Sequence, residues 1–339
     1  MNSPASLSEL KQQLQKLSEA DADAAAEARA RQDQLVKPAG SLGRLEDVAV
    51  HLARWQGREI PALDQVTVTV FAGAHGMTRH GVSAFPDEVN AQMLGGFQME
   101  FAAICQLAKA FGADLNVVDC GINNPTADFT QAPAMDEAGF LAAVALGFDS
   151  INGAEDLVLF GEMGIGNTTA AAAVSCALFG GDPADWVGRG TGVDDDGLAR
   201  KRDVVARGLA CHAQALSDPI EALRHLGGRE MAAMFGACLA ARQHRIPVLL
   251  DGFIVSAALA PLALAQPGGL DHVLAGHCSE ESGHRRLLEK LGLDPLLHLN
   301  MRLGEGSGAA TALGIVRAAV ACHAGMATFA EAAVSGKES

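Results

Sequence analysis

An α/β fold built on a parallel sheet is the class this sequence predicts, on three observations. Short apolar, β-branched runs recur along the chain, each ends in glycine and polar residues, and helical patterns alternate with them. Strands buried on both faces of a parallel sheet need such continuous apolar runs, and the alternation with helices marks βαβ units. The runs are Val66–Ala72 before GAHGMTRHG, Leu115–Asp119 before CGINN and Leu157–Phe160 before GEMGIGNTT. Val248–Leu250 before DGFIVSAAL, His272–Leu274 before AGHCSEESGH and Leu297–Asn300 before MRLGEGSGAA complete a set of six expected strands. Helices are expected at Ala170–Leu178, Gly197–Leu209 and His284–Leu291. In open parallel sheets ligands bind beyond the carboxyl ends of the strands. All the glycine- and acid-rich segments fall there.

The chain opens differently. Its first ~35 residues are polar and alanine-rich, with no proline or glycine after Pro4, and read as exposed helix. Leu7, Leu10, Leu14 and Leu17 recur at helical spacing and give that helix one apolar stripe. The stripe needs a partner, either a second subunit or the rest of the chain. No repeat of fixed period and no low-complexity linker divides the remainder of the chain.

Composition narrows the functional classes. The chain has 339 residues, with 25 Lys+Arg against 40 Asp+Glu and a formal charge of −15. Hydrophobic residues make up 49% and charged residues 19%, which excludes disorder as the general state. A polyanion needs a basic face, so a general nucleic-acid binder is excluded, whereas one small phosphorylated ligand is not. The nearest two of seven cysteines, Cys105 and Cys120, leave no CxxC, and the set reads as reduced core thiols. The N-terminus lacks the basic and apolar regions of a signal peptide. The apolar stretch Phe253–Ala265 carries Ser256 and Pro261 and is too short to span a bilayer. A soluble, cytoplasmic protein is expected.

Two segments share one design. In Gly161–Thr169 (GEMGIGNTT), Gly164 and Gly166 let backbone amides converge on an anion, and Asn167 to Thr169 can cap a helix. No lysine precedes the threonine as in a Walker A loop, and the third glycine of a dinucleotide fingerprint is missing. The turn chemistry alone also fits a plain strand-to-helix connection. Gly304–Gly308 (GEGSG) again sets a glutamate among glycines before a small-residue helix. Each of Glu162 and Glu305 could be a helix-start carboxylate favoured by the macrodipole. Together, at one sheet edge, they suit a general base and a cation stabiliser.

Three further segments bear on ligands. Asp194, Asp195 and Asp196 in GRGTGVDDDG invite a magnesium reading, but acids suit the start of the following helix and Asp196 is placed to pair with Arg200. Lys201, one turn into that helix and close to a glycine loop, could meet a phosphate. The segment His277–His284 (HCSEESGH) has metal-like composition without a zinc spacing; its serine and backbone amides suit phosphate instead. His75 and His80 flank Gly76 in a loop and receive no catalytic role.

On these residues the sequence resembles the nicotinate-nucleotide–dimethylbenzimidazole phosphoribosyltransferases of cobalamin biosynthesis. The likeness is carried by KPAGSLGRLE (37–46), FAGAHGMTRHGVSAFPDEVNAQM (71–93), GEMGIGNTTAAAAV (161–174), GRGTGVDDDGLARK (188–201), DGFIVSAAL (251–259), HCSEESGH (277–284) and RLGEGSGAA (302–310). It implies a three-layer α/β/α Rossmann-like domain over residues 61–309, and a small helical domain from residues 1–60 plus about 310–339. It implies a homodimer without cofactor or metal. The reaction it implies moves 5-phosphoribosyl from nicotinate mononucleotide to 5,6-dimethylbenzimidazole, with inversion, giving α-ribazole 5′-phosphate and nicotinate. By the same resemblance Glu305 is the general base and Glu162 a second carboxylate near the ribose. Ser83, Gln92, Met163 and Leu303 then contact the benzimidazole, while Gly164, Gly190, Lys201 and Ser279 contact phosphate and ribose. Two other classes stay open on the residues alone: a nicotinamide-dependent oxidoreductase using the GIGNTT turn, and a non-catalytic nucleotide sensor.

Overall fold

The computed structural model describes residues 2–335; Met1 and residues 336–339, the outer ends of the expected terminal helical unit, lie outside the described residues. The chain begins with α1 (Leu7–Leu14), α2 (Ala22–Gln34) and α3 (Arg44–Gln56), followed by β1 (Val66–Ala72). Next come α4 (Glu88–Gln98), α5 (Ala103–Phe111), β2 (Asp114–Asp119), α6 (Glu137–Asp149), β3 (Leu157–Met163) and α7 (Asn167–Phe179). Then α8 (Asp195–His212), α9 (Pro219–Leu226) and α10 (Arg229–Gln243) precede β4 (Val248–Leu250) and α11 (Phe253–Ala265). The described part closes with β5 (Val273–Ala275), α12 (His284–Leu291) and α13 (Ser307–Gly325).

The five strands form one parallel sheet in the order β2-β1-β3-β4-β5. Side chains alternate across a strand, so neighbouring residues feed opposite layers. Val66, Val68, Val70, Leu157, Leu159 and Leu249 pack on one face with Leu52 of α3, Ile104 of α5 and Leu313 of α13. Phe71, Val158, Phe160, Val248 and Leu250 pack on the other with Phe140 of α6, Phe235 of α10 and Leu259 of α11. The result is the α/β/α sandwich that the resemblance implies. Small residues let its helices approach closely: a side chain at Gly147 of α6 would overlap the Ala233 carbonyl, and one at Gly236 of α10 would overlap that of Val144. Scarce aromatics and abundant alanine and glycine thus have a packing reason.

Three expectations need correction. The first ~35 residues form two helices, because Asp21 Oδ1 accepts the Ala24 amide (2.9 Å) and starts α2 afresh. Nor is α1 exposed along its length. Leu10 and Leu14 are buried in the main core, so the rest of the chain partners the stripe. The sixth strand is absent among the described residues: residues 297–300 contribute one isolated parallel bridge, His277↔Leu297. Pro295 supplies no amide and Asn300 turns into the left-handed region (φ 54°), which cuts the ladder short at both ends.

The N-terminal helices meet the C-terminal helix. Ala28 of α2 packs on Val50 and Ala53 of α3, and Arg31 Nε donates to the His323 carbonyl of α13 (2.9 Å). By length and composition α13 could cross a membrane, yet it lies against α3, α5 and β3 with Ala309, Leu313 and Val316 buried. That is the setting of a core helix. Seven free thiols are present, of which five are buried, while Cys211 is exposed and Cys322 partly so.

Candidate active site

The strand order reverses between β1 and β3, and the segments at the carboxyl ends of β3, β4 and β5 line one cavity of about 250 Å³. Glu162 and Met163 enter it from the last positions of β3, and Asp251 follows the last residue of β4. Glu305 arrives from the turn before α13. Glycine makes this convergence possible. A side chain at Gly161 would collide with the Glu305 backbone, and one at Gly304 with the Glu162 carboxylate. The Glu305 amide donates to the Glu162 carbonyl (3.1 Å) and ties the two segments together.

Both glutamates are buried, and burial is the main force on their acidity. It pushes the Glu162 carboxyl up to about 8, with the Asp251 charge adding to the rise and the Asn167 amide, which donates to Oε2, opposing it. Glu305 also lies above the ordinary carboxylate range through burial; its bond from the Ile104 amide (3.4 Å) at the start of α5 opposes the shift and Asp251 adds to it. Glu305 adopts φ 63°, a left-handed conformation uncommon for a residue with a side chain. Asp251 stabilises that turn: its two oxygens accept the amides of Gly306 (3.2 Å) and Ala309 (2.9 Å). His277 Nε2 lies 3.4 Å from the same carboxylate.

A smaller cavity of about 40 Å³ adjoins the first and shares Gly164, Ile165, Asn167, Thr168, Gly190 and Thr191 with it. Here Gly166 (φ 89°) precedes α7 and no side chain caps the helix, so its positive end faces the space. Asn90 Oδ1 accepts the Ile165 amide (2.8 Å) and pins the loop. Lys201, 1% exposed, lines the cavity from α8. Its Nζ donates to Thr168 Oγ1 and the Gly188 carbonyl, both at 2.8 Å, leaving one of three donors free. Burial depresses its pKa to about 8, with Glu281 opposing.

Of the residues expected at the site, Glu162, Met163, Gly164, Gly190, Ser279, Leu303 and Glu305 line the main cavity, and Ser83 and Lys201 the smaller one. Leu303 sits at the mouth, 52% exposed. Gln92 is exposed on α4 and lines neither space, whereas Val89 and Met93 of the same helix do line the main one, with Phe85. Two local expectations fail. Arg200 donates to the Gly81 carbonyl (3.0 Å) and forms no ion pair with Asp196 among the described residues; Asp194 caps α8 through the Gly197 amide (2.8 Å), and Asp195 pairs with Arg189. The Ser279 amide is not free for an anion, because it donates to His284 Nδ1 (2.8 Å). His75 and His80 pair with Glu230 and Asp128, at 2.8 Å each. Sequence reasoning missed Asp251 as a site group, although it follows a short strand as the other ligand-side segments do. Asn90 and Asn167 gave no signal beyond turn and cap chemistry.

The model of a family described as phosphoribosyltransferase matches residues 17–334. The nicotinate-nucleotide–dimethylbenzimidazole phosphoribosyltransferase of Mesorhizobium japonicum is 62% identical over 319 residues, 94% of this chain and 95% of that protein. The chain belongs to this phosphoribosyltransferase family. The enzyme of the same name from Novosphingobium aromaticivorans is 59% identical, covering 98% of each chain. Among solved structures, CobT from Thermus thermophilus superimposes with a TM-score of 0.86 at 43% identity, over 93% of this chain and all of that one. The fold and the placement of the family motifs at the strand ends therefore agree.

Proposed function

We infer that this protein is a nicotinate-nucleotide–dimethylbenzimidazole phosphoribosyltransferase, which forms α-ribazole 5′-phosphate for the lower ligand of cobalamin. The structural observation that carries the reading, beside the family match, is a pair of buried carboxyls facing one cavity, next to an uncapped helix end that holds a buried lysine. One nitrogen of the benzimidazole attacks C1′ of the ribose while the other N–H gives its proton to Glu305. The bond from C1′ to the pyridine nitrogen breaks with its electron pair, so nicotinate leaves with a neutral ring. Positive charge thus moves through the ribose, and the carboxylates of Asp251 and Glu305 form a field that favours it. Glu162 holds its proton below about pH 8, so near neutral pH it cannot accept the benzimidazole proton, and it stands beside the ribose.

In the same reading Lys201 and the amide end of α7, with Gly164, Gly190 and Ser279, hold phosphate and ribose. Met163 and Leu303 form apolar walls for the benzimidazole, with Phe85, Val89 and Met93 lining the same cavity, while Ser83 lies in the smaller one. The chain works as a cytoplasmic homodimer in this proposal. Met99 and Phe101, 70% and 61% exposed, provide apolar surface in support of it. Residues 1–60 with 310–339 act as a helical unit, which the packing of α2, α3 and α13 supports.

Incubation with nicotinate mononucleotide and 5,6-dimethylbenzimidazole in the presence of EDTA should give α-ribazole phosphate and nicotinate by mass. Folded protein that forms neither product would overturn the assignment.

A further inference from the structure

Three side chains form a line of hydrogen bonds from the cavity wall into the core. Ser279 lines the cavity; His284, the first residue of α12, and Ser256, on α11, are both fully buried. The Ser279 amide donates to His284 Nδ1 at 2.8 Å. An amide can only donate, so Nδ1 is the unprotonated nitrogen and Nε2 carries the ring hydrogen. Nε2 then donates to Ser256 Oγ (3.0 Å), whose own hydrogen goes to the Gly252 carbonyl (2.9 Å). The whole chain of donors has one direction, from Ser279 to the Gly252 carbonyl, and its first acceptor, Nδ1, also lies 2.9 Å from the Ser279 hydroxyl.

The imidazole is held neutral. Burial, with His277 at 6.1 Å between ring centroids, pushes its pKa to about 3. A ring so weakly basic cannot take a proton from a substrate near neutral pH, so a role as general base is excluded. It remains an acceptor for the serine at every working pH.

We propose that His284 is a positioning residue: through Nδ1 it fixes both the backbone and the hydroxyl of Ser279, so that the serine meets the bound nucleotide in one orientation. Ser256 extends the device by fixing the tautomer. The inference rests on the reading of Ser279 as a nucleotide contact and adds what makes that contact selective in orientation. Nothing in the nucleotide need touch His284.

Steady-state kinetics with nicotinate mononucleotide and dimethylbenzimidazole test it, with the melting temperature of each variant measured alongside. Ser279→Ala should raise KM for the mononucleotide about five- to tenfold, the worth of one hydrogen bond. His284→Gln keeps a donor toward Ser256 but loses the Nδ1 acceptor, and should raise that KM by a similar factor while KM for dimethylbenzimidazole changes little. His284→Asn retains an acceptor at the Nδ1 position and should restore most of the loss. In a Ser279→Ala background, His284→Gln should add less than twofold, because the histidine acts through the serine. Should the His284 variants fail to fold, Ser256→Ala must still raise KM for the mononucleotide, by about two- to fivefold. The proposal falls if Ser279→Ala raises KM while His284→Gln or Ser256→Ala, in folded protein, does not, or if the two losses multiply. An unchanged KM in Ser279→Ala itself would remove both the proposal and the nucleotide contact it depends on.

Discussion

The two glycine–glutamate turns, 161–169 and 304–310, look alike in sequence and do different things in the fold. Each carries a buried glutamate, is rich in glycine and runs into a helix of small residues. At the first, Glu162 lies on β3 itself and turns its carboxyl toward Asn167, while the start of α7 has no side-chain cap. At the second, Glu305 sits in a left-handed turn, and Asp251 already occupies the amides of Gly306 and Ala309. A helix end left open can receive an anionic ligand; one filled by a carboxylate cannot, and its turn can only present the side chain it carries. The distinction between a phosphate-binding turn and a base-bearing turn thus comes from a third segment, the end of β4.

The strongest way to break this contrast is to remove the proton acceptor from the second turn. Glu305→Gln should lower kcat by about 10²–10⁴-fold, the usual worth of a general base, with mononucleotide affinity within a few-fold of wild type. Rapid-quench or steady-state assays beside direct binding separate the two. At the first turn the expected loss is in binding. Lys201→Ala removes a charge-assisted hydrogen bond worth roughly 1.5–3 kcal/mol, so KM for the mononucleotide should rise about ten- to a hundredfold with kcat less affected. An unchanged KM would leave Lys201 as a structural link between Thr168 and Gly188 only. The smallest effect concerns the segment that makes the turns differ. Asp251→Ala frees two amides at the start of α13 and should cost about 0.5–2 kcal/mol of stability by denaturant unfolding. Stability equal to wild type would mean that the cap does not hold the Glu305 turn.

Much of this was legible in the sequence because it is local. Strand runs ending in glycine mark the carboxyl edge, and the expected helix His284–Leu291 coincides with α12. Helix α7 begins three residues before the alanine run, at Asn167, because Gly166 in the left-handed region lets the chain turn there at once. What escaped depends on contacts between distant segments. Asp251 reaches residues 306 and 309, Asn90 reaches 165, and the Leu297–Asn300 run lost its strand partner to a proline and a left-handed asparagine. None of these pairings leaves a spacing to read. The Ser279 amide shows the same limit: its availability to an anion is decided by a histidine on the next helix.

The central claim, that the second turn and not the first supplies the base, is tested most directly by the pH dependence of kcat/KM in wild type, Glu162→Gln and Glu305→Gln. A base works only when ionised. Burial raises the Glu305 pKa above the ordinary carboxylate range, so activity should fall as pH drops through that raised value, at a higher pH than an exposed glutamate would give. The account predicts that this acid limb persists in Glu162→Gln and vanishes in Glu305→Gln, leaving a low, nearly flat residual rate. An acid limb that survives in Glu305→Gln and disappears in Glu162→Gln would contradict it and move the base to β3.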